Sequence, residues 1–219
     1  MSENAAVLLD PIEARVLGCL VEKAATTPEV YPLTLNAVVA ACNQKSNRDP
    51  VLELEPGAVG HALRQLEGKR LVAGSMSARA SRYEHRLDQA LNLTPRQRAL
   101  LALMMLRGPQ TAPELLARSD RLADFPGLDD VRSTLDRLSQ REPALVVRIP
   151  RSGGQREDRY MHLLCGEIDV AALARATPSD PVGSSTHELE SRIEQLESLV
   201  DALQARLQQV ERRFGADED

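Results

Sequence analysis

Residues 59–87 read VGHALRQLEGKRLVAGSMSARASRYEHRL. Val59, Leu63 and Leu66 fall at i, i+4 and i+7, the apolar stripe of a helix. Two short strand-like runs follow, 71–76 and 82–87, with small and polar residues between them. A helix that leads into a β-hairpin is the second half of a winged helix, an elaborated helix-turn-helix. The first half lies upstream. Asp10 precedes Pro11 and stands three before Glu13, a capping box with a proline pre-set for the first turn. Thr34, after Pro32 and Leu33, is placed to cap a second helix.

The same order occurs twice. Leu93-Thr94-Pro95 with Gln97 repeats Leu9-Asp10-Pro11 with Glu13, and Pro109-Gln110-Thr111 repeats Pro32-Leu33-Thr34. Val131, Leu135 and Leu138 repeat the third-helix stripe, and 159–164 (RYMHLL) repeats 82–87 (RYEHRL). The offsets drift between 72 and 84, as loop insertions require. In the second copy, 144–149 is a β-branched run, and Gly153-Gly154 supplies the backbone freedom of a hairpin turn. The expected fold is mainly α with small β-hairpins: two tandem winged-helix (helix-turn-helix) domains, each with a small core, and a C-terminal coiled-coil helix. The boundaries read as a flexible N-terminus 1–9, domain 1 at 10–90 and domain 2 at 91–166. A short helix and linker at 167–185, the coiled-coil helix at 186–214 and an acidic tail at 215–219 complete the chain.

Composition narrows the function. The 219 residues carry 27 Lys/Arg against 32 Asp/Glu, a net charge of −5. The acidic excess lies beyond Gly166, where 5 Lys/Arg meet 12 Asp/Glu, so the body is slightly basic. Two Phe, three Tyr and no Trp are too few rings for a single-strand stacking platform. Three Cys without a C-x-x-C pair exclude a disulfide scaffold and a cysteine-rich zinc module. The start lacks a signal-peptide pattern, and no apolar run reaches the roughly 20 residues of a membrane span. A reduced, cytoplasmic protein with no membrane contact is expected.

EARVLGCLVEK (13–23), YPLTLNAVVAACNQKSNRDPV (31–51), RGPQT (107–111) and REDRYMHL (156–163) resemble the YceH-like family of uncharacterised bacterial proteins. The resemblance spans about 10–166, and ACNQKSNRDPV is its most specific part. It implies the tandem winged-helix fold and supplies no mechanism.

A helix-turn-helix places its third helix in the major groove of DNA, and the wing meets backbone or minor groove. Opposite the Val59/Leu63/Leu66 stripe lie Gly57, His61, Arg64 and Gly68, with Gln65 beside them. Arg and Gln can read base edges, and this face has no carboxylate. Lys69 and Arg70 follow the helix, and Arg79 and Arg82 lie on the wing. In the second copy the corresponding face holds Asp129, Ser133, Asp136 and Gln140, which phosphates would repel, so that helix is expected to face protein. Its basic residues sit on the wing: Arg148, Arg151, Arg156 and Arg159. The plain alternative for all of these is a solvated surface.

Between the second and third helices, Asn43, Gln44, Lys45, Asn47 and Arg48 could clamp a phosphate or a partner's backbone. The alternative is a connecting loop whose amides cap neighbouring backbone. The four His (61, 85, 162, 187) show no helical ligand spacing, and there is no G-x-S-x-G and no P-loop. His85 and His162, with Tyr83 and Tyr160, occupy equivalent positions on the last strand and read as structural, and Cys19 reads as core. No enzymatic activity, metal or cofactor is expected.

Leu189, Ile193, Leu196, Val200, Leu203, Leu207, Val210 and Phe214 follow at alternating spacings of 4 and 3, a heptad pattern. β-branched residues at a with Leu at d favour a parallel homodimer, over a helix of roughly 43 Å; the alternative is a helix folded back on the body. The leading functional expectation is therefore a duplex-DNA-binding, regulator-like protein. The alternative is a scaffold that binds protein partners.

Overall fold

The computed structural model describes residues 8–76, 81–151, 156–171 and 173. They form two helix/strand modules of the same order. The first contains α1 (Pro11–Thr26), a 3-10 turn (Pro28–Val30), β1 (Leu33–Thr34), α2 (Leu35–Cys42), α3 (Pro56–Gly68), β2 (Val72–Met76) and β3 (Ser81–His85). A short helix, α4 (Leu87–Leu91), leads to the second. That module contains α5 (Pro95–Arg107), β4 (Gln110–Thr111), α6 (Ala112–Ser119), α7 (Leu128–Ser139), β5 (Val146–Ile149) and β6 (Arg159–His162). Each module is mainly α-helical with a small sheet, an order compatible with a winged helix.

The caps read from sequence are formed. The Asp10 carboxylate accepts from the Ile12 and Glu13 amides at 2.7 and 2.8 Å, and Glu13 accepts from the Asp10 amide at 2.7 Å. Thr94 and Gln97 make the same reciprocal pair at α5. Thr34 accepts from the Ala37 amide at 3.3 Å, and Thr111 forms a capping box with Glu114 at α6. Each box satisfies helix N–H groups that would otherwise lack partners.

The sheets carry one strand more than the expected hairpin. Their orders are β1-β3-β2 and β4-β6-β5, antiparallel throughout. The added strands, β1 and β4, are two residues long and sit directly before α2 and α6. Leu33 pairs with Tyr83 in one module and Gln110 with Tyr160 in the other, so the repeat holds to the level of register. Each added strand ties the start of the second helix to the last strand of the hairpin.

The two modules share one core rather than holding a small core each. α1 and α5 pack against each other, and one continuous cluster of buried side chains runs from Leu9 to Leu164. Both helices are buried nearly all round: residues 13–21 of α1 and 99–106 of α5 are all buried. Gly18 lies at a close approach of the two helices, since a Cβ there would lie 3.1 Å from Leu106 Cγ and Met105 Cβ. Leu9, read from sequence as part of a flexible N-terminus, is buried, and its amide donates to the Leu164 carbonyl at 2.7 Å.

Candidate nucleic-acid interface

The α3 stripe buries Val59, Ala62, Leu63 and Leu66 against the rest of the first module. This rotation leaves Gly57, His61, Arg64, Gln65 and Gly68 exposed, as the sequence placed them. Space beside Gly57 and Gly68 is open, so a partner's backbone can approach the helix closely there. Glu67 is the one acidic residue within 56–70, and its carboxylate folds over Gly74 on β2. The exposed face of α3 thus carries a guanidinium, an imidazole and an amide without a carboxylate among them.

The end of α3 is closed by a two-bond C-cap. The Arg70 amide donates to the Glu67 carbonyl and the Leu71 amide to the Leu66 carbonyl, both at 2.9 Å. Arg70 takes the left-handed backbone conformation, φ 58, that this cap requires and glycine usually supplies. Its side chain is exposed, as are Gln65 and Gly68 towards the same end of the helix. Lys69 points elsewhere. Its Nζ donates to the Leu8 carbonyl at 2.8 Å and pairs with the Glu13 carboxylate, which is buried. The structure therefore engages Lys69 with the N-terminal end of α1.

The hairpin is anchored from the region ahead of α2. The His85 amide donates to the Tyr31 hydroxyl at 2.6 Å, and burial pushes the Tyr31 phenol up to about 12. Arg82, exposed on β3, donates from Nη1 to the Pro32 carbonyl at 2.7 Å. Its guanidinium is thus held to the residue just before β1, on the sheet that carries the wing. Sequence reading passed over Tyr31; an aromatic just before a predicted helix cap was the available signal. Arg79 lies outside the described residues.

The segment between α2 and α3 is built as an internal joint. Asn43 makes a matched pair with Leu54, donating to its carbonyl at 2.9 Å and accepting from its amide at 2.8 Å. Arg48 is buried and donates to the Ala41 carbonyl, the Glu22 carboxylate and Gln44. Arg15, also buried, reaches the Pro50 carbonyl at 2.7 Å. Asn47, with φ 60, accepts from Arg107 of α5, and the Asp49 amide donates to the Leu106 carbonyl at 3.0 Å. Of the five residues read as a phosphate or partner clamp, Asn43, Gln44 and Arg48 are therefore taken up by the chain itself, because a buried cation must be paired. Asn47 braces the second module, and Lys45 is exposed.

In the second module, Asp129, Ser133, Asp136 and Gln140 are exposed on α7, with Arg132 and Arg137 among them. On its wing, Arg148 pairs with Asp158 at 2.5 Å, and the Arg151 amide donates to the same carboxylate at 2.9 Å. That amide bond and the nearby Arg148 hold the Asp158 carboxyl below its ordinary range. Arg151 Nη1 donates to the Arg156 carbonyl at 3.3 Å, and both side chains are exposed. His162 is buried at the end of β6, and desolvation lowers its imidazole to about 4. His85, at the matching place on β3, is lowered for the same reason. Cys19 on α1 and Cys42 at the end of α2 are both buried, with free thiols. Among the described residues no group of three His, Cys, Asp or Glu is placed to hold a metal ion, and no helix is long and apolar enough to cross a membrane. The heptad positions Leu189, Ile193, Leu196, Val200, Leu203, Leu207 and Val210 lie outside the described residues.

Residues 9–155 match the family described as "Protein of unknown function, DUF480". A UPF0502 protein of Xanthomonas axonopodis pv. citri is 56% identical over 213 residues, 95% of each chain. One of Stenotrophomonas maltophilia is 56% identical over 203 residues, 91% of this chain and 93% of its own. One of Mesorhizobium japonicum is 55% identical over 209 residues, 94% and 98% of the two chains. By the span of that match and the level of these identities, this chain belongs to the DUF480 (UPF0502) family.

Proposed function

We propose that this chain is a non-enzymatic, duplex-DNA-binding, transcription-regulator-like protein of two tandem winged helices, a YceH-like member of its family. One observation carries the reading: α3 turns His61, Arg64 and Gln65 outward with no carboxylate between them, and Arg82 is exposed on the hairpin of the same module. In a winged helix this is the side that enters the major groove, and Arg and Gln are the side chains suited to base edges there. The heptad pattern at 189–214 adds a parallel homodimer, which suits a palindromic site. Cytoplasmic residence belongs to the same reading.

A mobility-shift titration of duplex DNA tests it. Arg64→Ala is expected to weaken binding, by about 1–3 kcal/mol if Arg64 reads a base. Arg82→Ala should weaken binding to all sequences alike and lower its salt sensitivity. A chain that shifts no duplex at low salt ends the reading. The second reading, a protein-interaction scaffold, is favoured by Asp129 and Asp136 exposed on α7. A defined protein partner lost on Asp129→Lys plus Asp136→Lys, with duplex binding absent, would establish it instead.

A further inference from the structure

We infer that the second module carries a phosphodiester-binding site of its own, between α7 and its wing. This goes beyond the reading of α3 and rests on duplex DNA being the ligand. Arg132 on α7, Arg148 on β5, and Arg151 and Arg156 on the wing line one open depression of about 360 Å³. Tyr160 on β6 contributes to its wall. Nothing in the sequence places Arg132 beside the wing; the fold does so by laying α7 against β5.

The acidic residues of the site are Asp158 and Glu157, so four guanidinium groups face two carboxylates. Asp158 is committed to the cations themselves, pairing with Arg148 and accepting from the Arg151 amide. It acts as a positioning residue that sets two arginines at the rim. Among the described residues, Arg132 makes a loose contact at 3.7 Å with the fully exposed Asp129. A surplus of guanidinium groups, shaped as forks, suits phosphate oxygens. The depression is polar and open, with Arg148 65% exposed, which fits a strand of backbone passing over it better than an enclosed small molecule. Phosphate contacts of this kind add affinity and fix register without reading sequence.

Asp129 and Asp136 flank Arg132 one turn away on either side along the same side of α7, and keep that helix from entering a groove as α3 does. The two modules thus divide the work: α3 meets base edges, and the second wing holds backbone.

Fluorescence anisotropy with the full chain and a labelled duplex, across a salt series, tests this. Arg132→Gln plus Arg148→Gln should weaken binding at low salt and lower the slope of log K against log salt by roughly 1.8, the value for two phosphate contacts. Arg156→Gln alone should lower it by roughly 0.9. Arg64→Ala serves as the control for the α3 reading. If the unaltered chain binds and responds to Arg64→Ala while both Gln variants keep its slope, the site on the second module is overturned and the α3 reading stands. A uniform loss at every salt concentration with an unchanged slope would mark a structural role and equally overturn it. No duplex binding by the unaltered chain would end both.

Discussion

Arg48 grips Glu22 with two nitrogens, Nη2 to Oε2 at 2.6 Å and Nη1 to Oε1 at 3.1 Å, joining the loop after α2 to the C-terminal half of α1. The Arg48 guanidinium is fully covered and Glu22 is largely so. Removing one member of a buried pair leaves the other charge unpaired. Arg48→Ala should therefore cost about 3 kcal/mol of folding stability, read as a lowered urea midpoint. Lys45→Ala, on the exposed part of the same loop, should leave the midpoint within about 0.5 kcal/mol.

The contact at Gly18 makes the two modules one cooperative unit. Gly18→Val adds methyl groups where a Cβ alone already meets Leu106 and Met105 at 3.1 Å. Overpacking of this kind costs about 2 kcal/mol. Fluorescent or circular-dichroism probes placed in either module should report one shared transition, moved to lower denaturant in the variant. Two separate transitions in the unaltered chain would contradict the shared core.

Arg70 sits where the α3 cap favours glycine, and its exposed side chain lies at the end of the candidate interface. Arg70→Gly should raise stability by about 1 kcal/mol by relieving the left-handed backbone. The same change should weaken duplex binding and lower its salt slope by roughly 0.9. Thermal melts and binding titrations of one preparation read both effects, and a gain in stability with no loss of binding would remove Arg70 from the interface.

His162 gives the fold a dependence on pH. Burial holds it at about 4 in the folded chain against an ordinary 6.5, and its Nδ1 has no hydrogen-bond partner among the described residues. Between those values the unfolded chain takes up a proton that the folded chain does not. Stability therefore falls as pH drops from 6.5 towards 4 and levels off below, with a full effect of about 3 kcal/mol. His162→Leu should flatten most of that decline in denaturation curves taken at a series of pH values. His85, lowered in the same direction, accounts for a remainder.

Local signals in the sequence carried most of the fold. Both reciprocal caps, both third-helix stripes and both hairpins follow from residues close in the chain. Long-range pairing was not legible. β1 and β4 are two residues each, too short for an alternating pattern, and exist because β3 and β6 offer them an edge. The shared core had a signal that a one-sided helix template overlooks: 99–106 is apolar at every position, which one buried face does not require. At the candidate site, exposure of His61, Arg64 and Gln65 followed from the period of α3 alone. The commitment of Lys69 to Glu13, and of Arg48 to Glu22, depended on partners 56 and 26 residues away. Arg132 was hidden by the two aspartates of its own helix until the wing was folded against it.

The central claim is that the outer face of α3 meets duplex DNA. Amide and arginine side-chain NMR spectra of the isotope-labelled chain, recorded at low salt as duplex is added, test it most directly. The account predicts shifts concentrated at Gly57, His61, Arg64, Gln65, Gly68 and Arg82, reversed by added salt. Spectra in which these signals stay fixed while duplex is in excess would contradict it.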